Sequence, residues 1–295
     1  MRVAVVAVMM IAGCGDDGGS AASDAGVDAM PGGCDATSEL HARFVIIGEV
    51  AVRGPMGNQA SGAYMSGTSP QTIATLAEAG GCRFVGPRPA LCDPPCAGED
   101  LCDVEGRCVR YPDVIPAGTM TITGTTPPLT LEPEADGNSY RTPTSYPQLY
   151  RPGDVLTLAL AGAAGVAPLH AEVIGVPSIA LPTDQLTAIE HQDLVIAWTP
   201  VAQPADAEVV VHLDNDHHGI AAYLECRAPA SAGSLTVPAA ILDRLILAGE
   251  TGIGTYIEHA WIELRHRALR TTERGCAAVD AYSDHFLLVD TVRAP

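Results

Sequence analysis

The densest set of potential ligands in this 295-residue chain is Asp214-Asn215-Asp216-His217-His218-Gly219, followed by Glu225. Against a helix–loop–helix calcium loop, Asp214, Asp216, Gly219 and Glu225 take positions one, three, six and twelve. Carboxylates at that spacing can wrap a hard cation, and glycine allows the sharp turn. Position five should offer oxygen, but His218 stands there, and the flanks read as strands where that motif needs helices. Zinc accepts imidazole, so His212, His217 and His218 are its candidates. Strand alternation, however, places His212 with Asp214 and Asp216, away from His217. Calcium or zinc binding is therefore the minor reading. A polar hairpin turn after Leu213 is the major one.

A second constellation is His259, Trp261, Glu263, Arg265 and Arg267, which share one face if the segment is a strand. An indole beside guanidinium and carboxylate groups makes a sugar-stacking or partner-binding patch. The bland alternative is a solvated face with one half-buried Trp. Trp198, in Val195-Ile196-Ala197-Trp198, fits a core position better. Asp93, Asp100, Asp103 and Glu105 read as a solvated acidic loop before a cation site, given the charge of the whole chain. There is no Gly-x-Ser-x-Gly, no His-Glu-x-x-His, no Gly-x-x-x-x-Gly-Lys and no lysine. The chain gives catalysis no positive support, so no enzyme and no cofactor is expected. The formal charge of −19 repels phosphate backbones and argues against a nucleic-acid partner.

Cysteine carries the third kind of chemistry. Arg2 and a short apolar run lead into Ile11-Ala12-Gly13-Cys14, which resembles a bacterial lipobox. On that reading Cys14 receives lipid and anchors an exported protein to the cell envelope, at the outer membrane. Of the nine cysteines, eight then remain. An even number in an exported chain reads as disulfides, and no Cys-x-x-Cys pair suggests a metal site. Cys34, Cys82, Cys92, Cys96, Cys102 and Cys108 allow fifteen pairings. Cys92–Cys102 with Cys96–Cys108 is preferred for the inner four. Cys226 and Cys276 are left over and are expected to pair.

The elements that must position these groups are mostly strands. Residues 1–13 form the signal, 14–38 a flexible acidic linker, and 39–295 one domain with a Cys-rich insert at 82–111. Aromatics make up only 4% of the chain, so Val, Leu, Ile and Ala must build the core. Strands are expected at Arg43–Val52, Ala60–Met65, Cys82–Val85, Thr119–Thr123, Leu129–Leu131, Val155–Leu160 and Ala171–Ile174. Further ones are expected at Leu194–Trp198, Glu208–Leu213, Ala221–Cys226, Ser234–Val237 and Phe286–Val289. A short helix should open at Ser69-Pro70, use Ile73, Leu76 and Ala77 as its buried face, and stop at Gly80-Gly81. A second helix fits Pro238–Ala248. Ile257–Leu269 satisfies both periods and is read as a strand because its neighbours are strands. The spacing predicts a mainly β chain, an antiparallel sandwich of immunoglobulin-like or jelly-roll-like type.

Two segments carry a resemblance. One runs from Gly81-Cys82-Arg83-Phe84-Val85 through Cys92-Asp93-Pro94-Pro95-Cys96 and Cys108 to Thr119-Met120-Thr121-Ile122-Thr123-Gly124. The other is Asp216-His217-His218-Gly219, Cys226 and Gly233-Ser234-Leu235-Thr236-Val237-Pro238. Both are similar to uncharacterised envelope lipoproteins of myxobacterial type. The resemblance spans about residues 80–290 and implies a secreted β-domain with no assigned activity. The expected work is that of a lipid-anchored, non-catalytic module presenting a surface to a protein or glycan partner. A metal-dependent hydrolase built on the Asp214–Glu225 segment and a carbohydrate-binding module built on Trp261 are its rivals.

Overall fold

The computed structural model describes residues 33–35, 38–50, 58–68, 74–86, 92–135, 137–214, 222–249, 257 and 259–292, all in the unit Gly33–Pro295. In chain order the strands are β1 (Leu40–Val50), β2 (Ala60–Tyr64), β3 (Ala74–Ala79), β4 (Cys82–Gly86), β5 (Asp100–Cys102) and β6 (Cys108–Arg110). Next come β7 (Met120–Thr123), β8 (Leu129–Leu131), β9 (Tyr140–Arg141), β10 (Val155–Leu160) and β11 (Leu169–Ile174). They are followed by β12 (Gln185–Ile189), β13 (Leu194–Ala197), β14 (Glu208–Asp214), β15 (Tyr223–Pro229) and β16 (Ser234–Val237). Helix α1 (Ala239–Gly249) precedes the long hairpin β17 (His259–Thr272) and β18 (Gly275–Phe286), and then β19 (Leu288–Val292).

Nine strands form one sheet in the order β3-β4-β15-β14-β17-β18-β1-β2-β9. A four-stranded sheet, β11-β10-β7-β8, supplies a second layer. The architecture is a mainly β, sandwich-like fold, as the strand spacing predicts. Its pairings are antiparallel except β1 with β18 and β12 with β19, which are parallel.

Alternation explains how the large sheet divides its two faces. In β17, Ala260, Ile262 and Leu264 are buried in one hydrophobic cluster, and Ala268 in another. The first cluster adds Trp198 and the apolar residues of β13, β16 and α1. The second packs Phe44, Tyr64 and Val279 against Met120, Ile122, Leu156 and Leu158 of the four-stranded sheet. A polar seam separates them. The backbone N–H of Ile174 donates to His266 Nδ1 (2.9 Å), and Ser283 Oγ donates to the Pro177 carbonyl (2.8 Å). The opposite face of the sheet carries Trp261, Glu263, Arg265 and Arg267 and takes no part in either core.

Trp198 fills the core as expected, 3% exposed, with its indole N–H on the Ala230 carbonyl. The segment 257–269 is strand, as read, within β17. Three expectations need correction. The helix toward Gly80-Gly81 is strand β3, antiparallel to β4; its Ser69–Ile73 part lies outside the described residues. Both glycines have positive φ (59° and 77°), which suits a tight hairpin whose twist matches its strands, not a helix stop. β18 is twelve residues long, but only its last residue was expected as strand. Asp280, Ser283 and Asp284 broke its apolar pattern.

The third correction concerns disulfides. Cys92–Cys102 and Cys96–Cys108 form as preferred, around the β5–β6 hairpin. Cys226 and Cys276 do not pair: Cys226 bonds Cys82, and Cys276 bonds Cys34. Register decides this. Cys82 and Cys226 lie directly opposite on β4 and β15, and Cys276 pairs with Leu40 at the start of β1, close to Cys34. Elimination by chain order could not see that β15 and β18 are separated by β14 and β17. Four disulfides mark an exported protein.

Candidate functional site

The polar face of the nine-stranded sheet is a grid set by register. One row across it reads Glu78, Arg83, Glu225, His212, Trp261, on β3, β4, β15, β14 and β17. The next holds Arg227, Val210, Glu263 and Asp284. Glu208, Arg265 and Tyr282 follow, and then Arg267 with Asp280. Arg43, on β1, lies opposite Ala278. Cys82–Cys226 locks β4 to β15 from the core side, one residue from Arg83 and Glu225.

Acid and base alternate across this grid and pair. Arg83 Nη2 lies 3.0 Å from Glu225 Oε1, and Arg227 Nε donates to the same oxygen at 2.8 Å. Arg265 Nε donates to Glu208 (2.6 Å). Arg267 holds both oxygens of the fully buried Asp280 (2.6 and 2.7 Å), and Arg43 Nε donates to it at 3.1 Å. Burial pushes the Glu225 carboxyl up, but Arg227, Arg83 and His212 outweigh it and hold it at about 2. Asp280 is likewise held below the ordinary carboxylate range: burial opposes, and the bonds from Arg267 prevail.

At the centre His212 stacks on Trp261, with ring centroids 4.6 Å apart and planes at 16°. The indole N–H donates to Glu263 (3.1 Å). His212 Nδ1 is 4.0 Å from Glu225 and Nε2 is 3.8 Å from Glu263. Burial nevertheless lowers the pKa of His212, so the ring is neutral at pH 7. Arg265 is 3% exposed, and its Nη2 is buried with no hydrogen-bond partner among the described residues. Ser38, Glu39 and Leu40 border the same surface, which forms an open groove of about 780 Å³. Five of the chain's 16 arginines line it: Arg43, Arg83, Arg227, Arg265 and Arg267.

The sequence patch is thus partly assembled. Trp261, Glu263, Arg265 and Arg267 share the face, as alternation predicts. His259 pairs with Asp214 one row beyond Trp261. Of the metal candidates, Asp214 ends β14 and Glu225 lies opposite His212 on β15. Asp216, His217 and His218 lie outside the described residues. Glu225 sits inside β15, not in a loop, and its carboxylate is committed to two guanidinium groups. Cys92, Cys96 and Cys102 have sulfurs within 4.8 Å of one another, but all three are in disulfides and offer no thiolate. In the acidic loop, Asp103 is satisfied by Arg107 and by the backbone N–H groups of Glu105 and Arg107. Sequence reasoning missed Arg43, Arg83 and Arg227. The Glu225/Arg227 and Arg265/Arg267 spacings were a visible same-face signal. The pairs Arg83–Glu225 and Arg43–Asp280, 142 and 237 residues apart, left none.

No family model matches the chain, and no curated protein does. Among solved structures it is similar to the FN1–FN3 domains of chicken CNTN1, at 10% identity, over 77% of this chain and 67% of that one. The TM-score is 0.18, too low to carry an argument.

Proposed function

We propose that this exported protein is a non-catalytic binding module, anchored to the bacterial envelope through lipid on Cys14, and that the groove around Trp261 is its contact surface. The observation that supports this best is the groove itself. A preformed aromatic stack, braced by Glu263 and bordered by arginine forks, lies on the sheet face that neither hydrophobic core uses. Rigid aromatic anchors and arginine dominate binding energetics on protein surfaces. No nucleophile–base pair accompanies them among the groove residues, so the arrangement favours holding over reacting.

The tether suits that role. Cys34 is bonded to Cys276, so twenty residues separate Cys14 from the first fixed point of the domain. A chain of that length reaches at most about 70 Å. Two measurements test the reading. Cys14→Ala should move the protein from the membrane to the soluble fraction. Trp261→Ala should weaken its co-sedimentation with envelope or extracellular material at least tenfold while leaving the far-UV spectrum unchanged. Unaltered fractionation would remove the anchor, and unaltered co-sedimentation would remove the groove.

A further inference from the structure

We propose that the groove takes an acidic glycan, a polysaccharide segment bearing carboxylates such as a uronate chain. This rests on the groove being the contact surface, and adds the class of ligand. Three observations carry it.

The first is the distribution of charge. The chain has a formal charge of −19, yet this groove gathers five of its 16 arginines against Glu39, Glu78, Glu225 and Glu263. Planar guanidinium forks match carboxylates in geometry, which is the use arginine serves better than lysine. Arg43 and Arg83 pair through one edge and remain 48% and 41% exposed, so both can receive a second anion.

The second is the unsatisfied donor. Arg265 lines the groove, is 97% buried by its 3% exposure, and carries an Nη2 without a partner among the described residues. A buried charged donor left unpaired costs more than the roughly 1–3 kcal/mol of a neutral one. A small shift of the guanidinium toward the groove would bring that donor to a ligand oxygen.

The third is the platform. Trp261 is held flat by the His212 stack behind one ring face and by the bond to Glu263 at its edge. An aromatic ring fixed in this way presents an apolar surface of the kind that receives the C–H face of a pyranose. Glu263 and Glu78 nearby accept hydrogen bonds from hydroxyl groups, which a sugar offers. An acidic peptide offers few hydroxyls to those carboxylates. From Trp261 to Arg267 the groove follows six residues of β17, about 20 Å at strand rise, enough for several sugar units.

The test uses the full chain in detergent with three probes. They are a panel of galacturonate, glucuronate and mannuronate/guluronate oligomers, the methyl esters of the same oligomers, and a glutamate peptide of equal charge. At least one acid oligomer should bind, at least tenfold tighter than its neutral ester and than the peptide. Its affinity should fall as salt rises. Arg83→Gln should cost at least tenfold for the acid and clearly less for its ester, with the fold checked by far-UV spectrum. Trp261→Ala should weaken acid and ester alike. Acid and ester binding equally would overturn the anionic character while leaving the groove as a binding surface. Peptide binding as tight as the oligomers would overturn the glycan class in favour of an acidic protein. No binding across the uronate panel, with Trp261-dependent co-sedimentation intact, would overturn the inference alone. No uronate binding together with co-sedimentation that Trp261→Ala leaves unaltered would overturn both readings.

Discussion

Glu225→Gln isolates the electrostatics that hold the polar face together. The Glu225 side chain is 8% exposed, and its carboxylate lies within 3.0 Å of Arg83 and 2.8 Å of Arg227. Its pKa falls from an ordinary 4.5 to about 2 in the folded protein. That difference is worth about 3 kcal/mol of stability at neutral pH, taking ~1.4 kcal/mol per pKa unit. The sign follows from the direction. A depressed carboxyl stabilises the fold above its unfolded value and loses that contribution as pH falls from about 4.5 toward 2. Glutamine keeps the shape and removes the charge. Arg83 and Arg227 are 41% and 29% exposed and can recover some solvation, so the expected cost is about 2–3 kcal/mol. Urea titrations with the disulfides intact, at pH 7, 4 and 2.5, measure it. Other depressed carboxyls, Asp280 among them, lower the stability of both proteins alike, so the difference reports Glu225. The gap should be widest at pH 7 and shrink to under about 1 kcal/mol near pH 2.5. A gap below about 1 kcal/mol at pH 7, or one that stays constant with pH, would refute the reasoning.

Non-reducing peptide mapping should recover Cys34–Cys276 and Cys82–Cys226 as linked peptides, and a Cys226–Cys276 species would contradict the register of β4 on β15. Removing Cys82–Cys226 by double alanine substitution opens a loop of 144 residues and should cost about 2–5 kcal/mol, read from urea midpoints. Gly48→Ala should cost about 3 kcal/mol and lower Tm by about 6–10 °C, because the new Cβ overlaps the Tyr150 ring. Gly175 backs the same ring, so Tyr150 cannot retreat; Tyr150→Leu in the Gly48→Ala background should recover part of the loss. His212, pushed down by burial against the pull of Glu263 and Glu225, favours the fold while neutral. Its contribution is present above the ordinary 6.5 and lost as pH falls through the lower folded value. An NMR titration of the His212 ring with a midpoint at or above 6.5 would contradict the burial assigned to the stack.

What the sequence disclosed follows the range over which each signal acts. Alternation is local, so once 257–269 is read as strand from its neighbours, spacing places Trp261, Glu263, Arg265 and Arg267 on one face. Tight disulfide loops are local too, which is why Cys92–Cys102 and Cys96–Cys108 were legible. Gly80-Gly81 was legible as punctuation but not as kind: the same dipeptide ends a helix or turns a hairpin, and only the pairing of β3 with β4 decides. β18 was hidden because its buried acid, Asp280, looks like a loop residue until Arg43 and Arg267 are brought to it. The site was half visible for the same reason. Its Trp and two arginines sit on one strand, while Arg83, Arg227 and Arg43 arrive from β4, β15 and β1.

The Cys34–Cys276 disulfide fixes where the described chain begins relative to this face. Cys34 is bonded to Cys276 near the start of β18, and Trp261 pairs with Phe286 at that strand's other end. Ten residues of strand separate those two points, about 33 Å at strand rise. The His212–Trp261 stack therefore lies toward the far end of β18 from that disulfide, while Ser38, Glu39 and Leu40, which follow Cys34, border the same groove. β17 reaches both hydrophobic cores and β18 packs into the second, so the strands that carry the groove are backed by apolar packing.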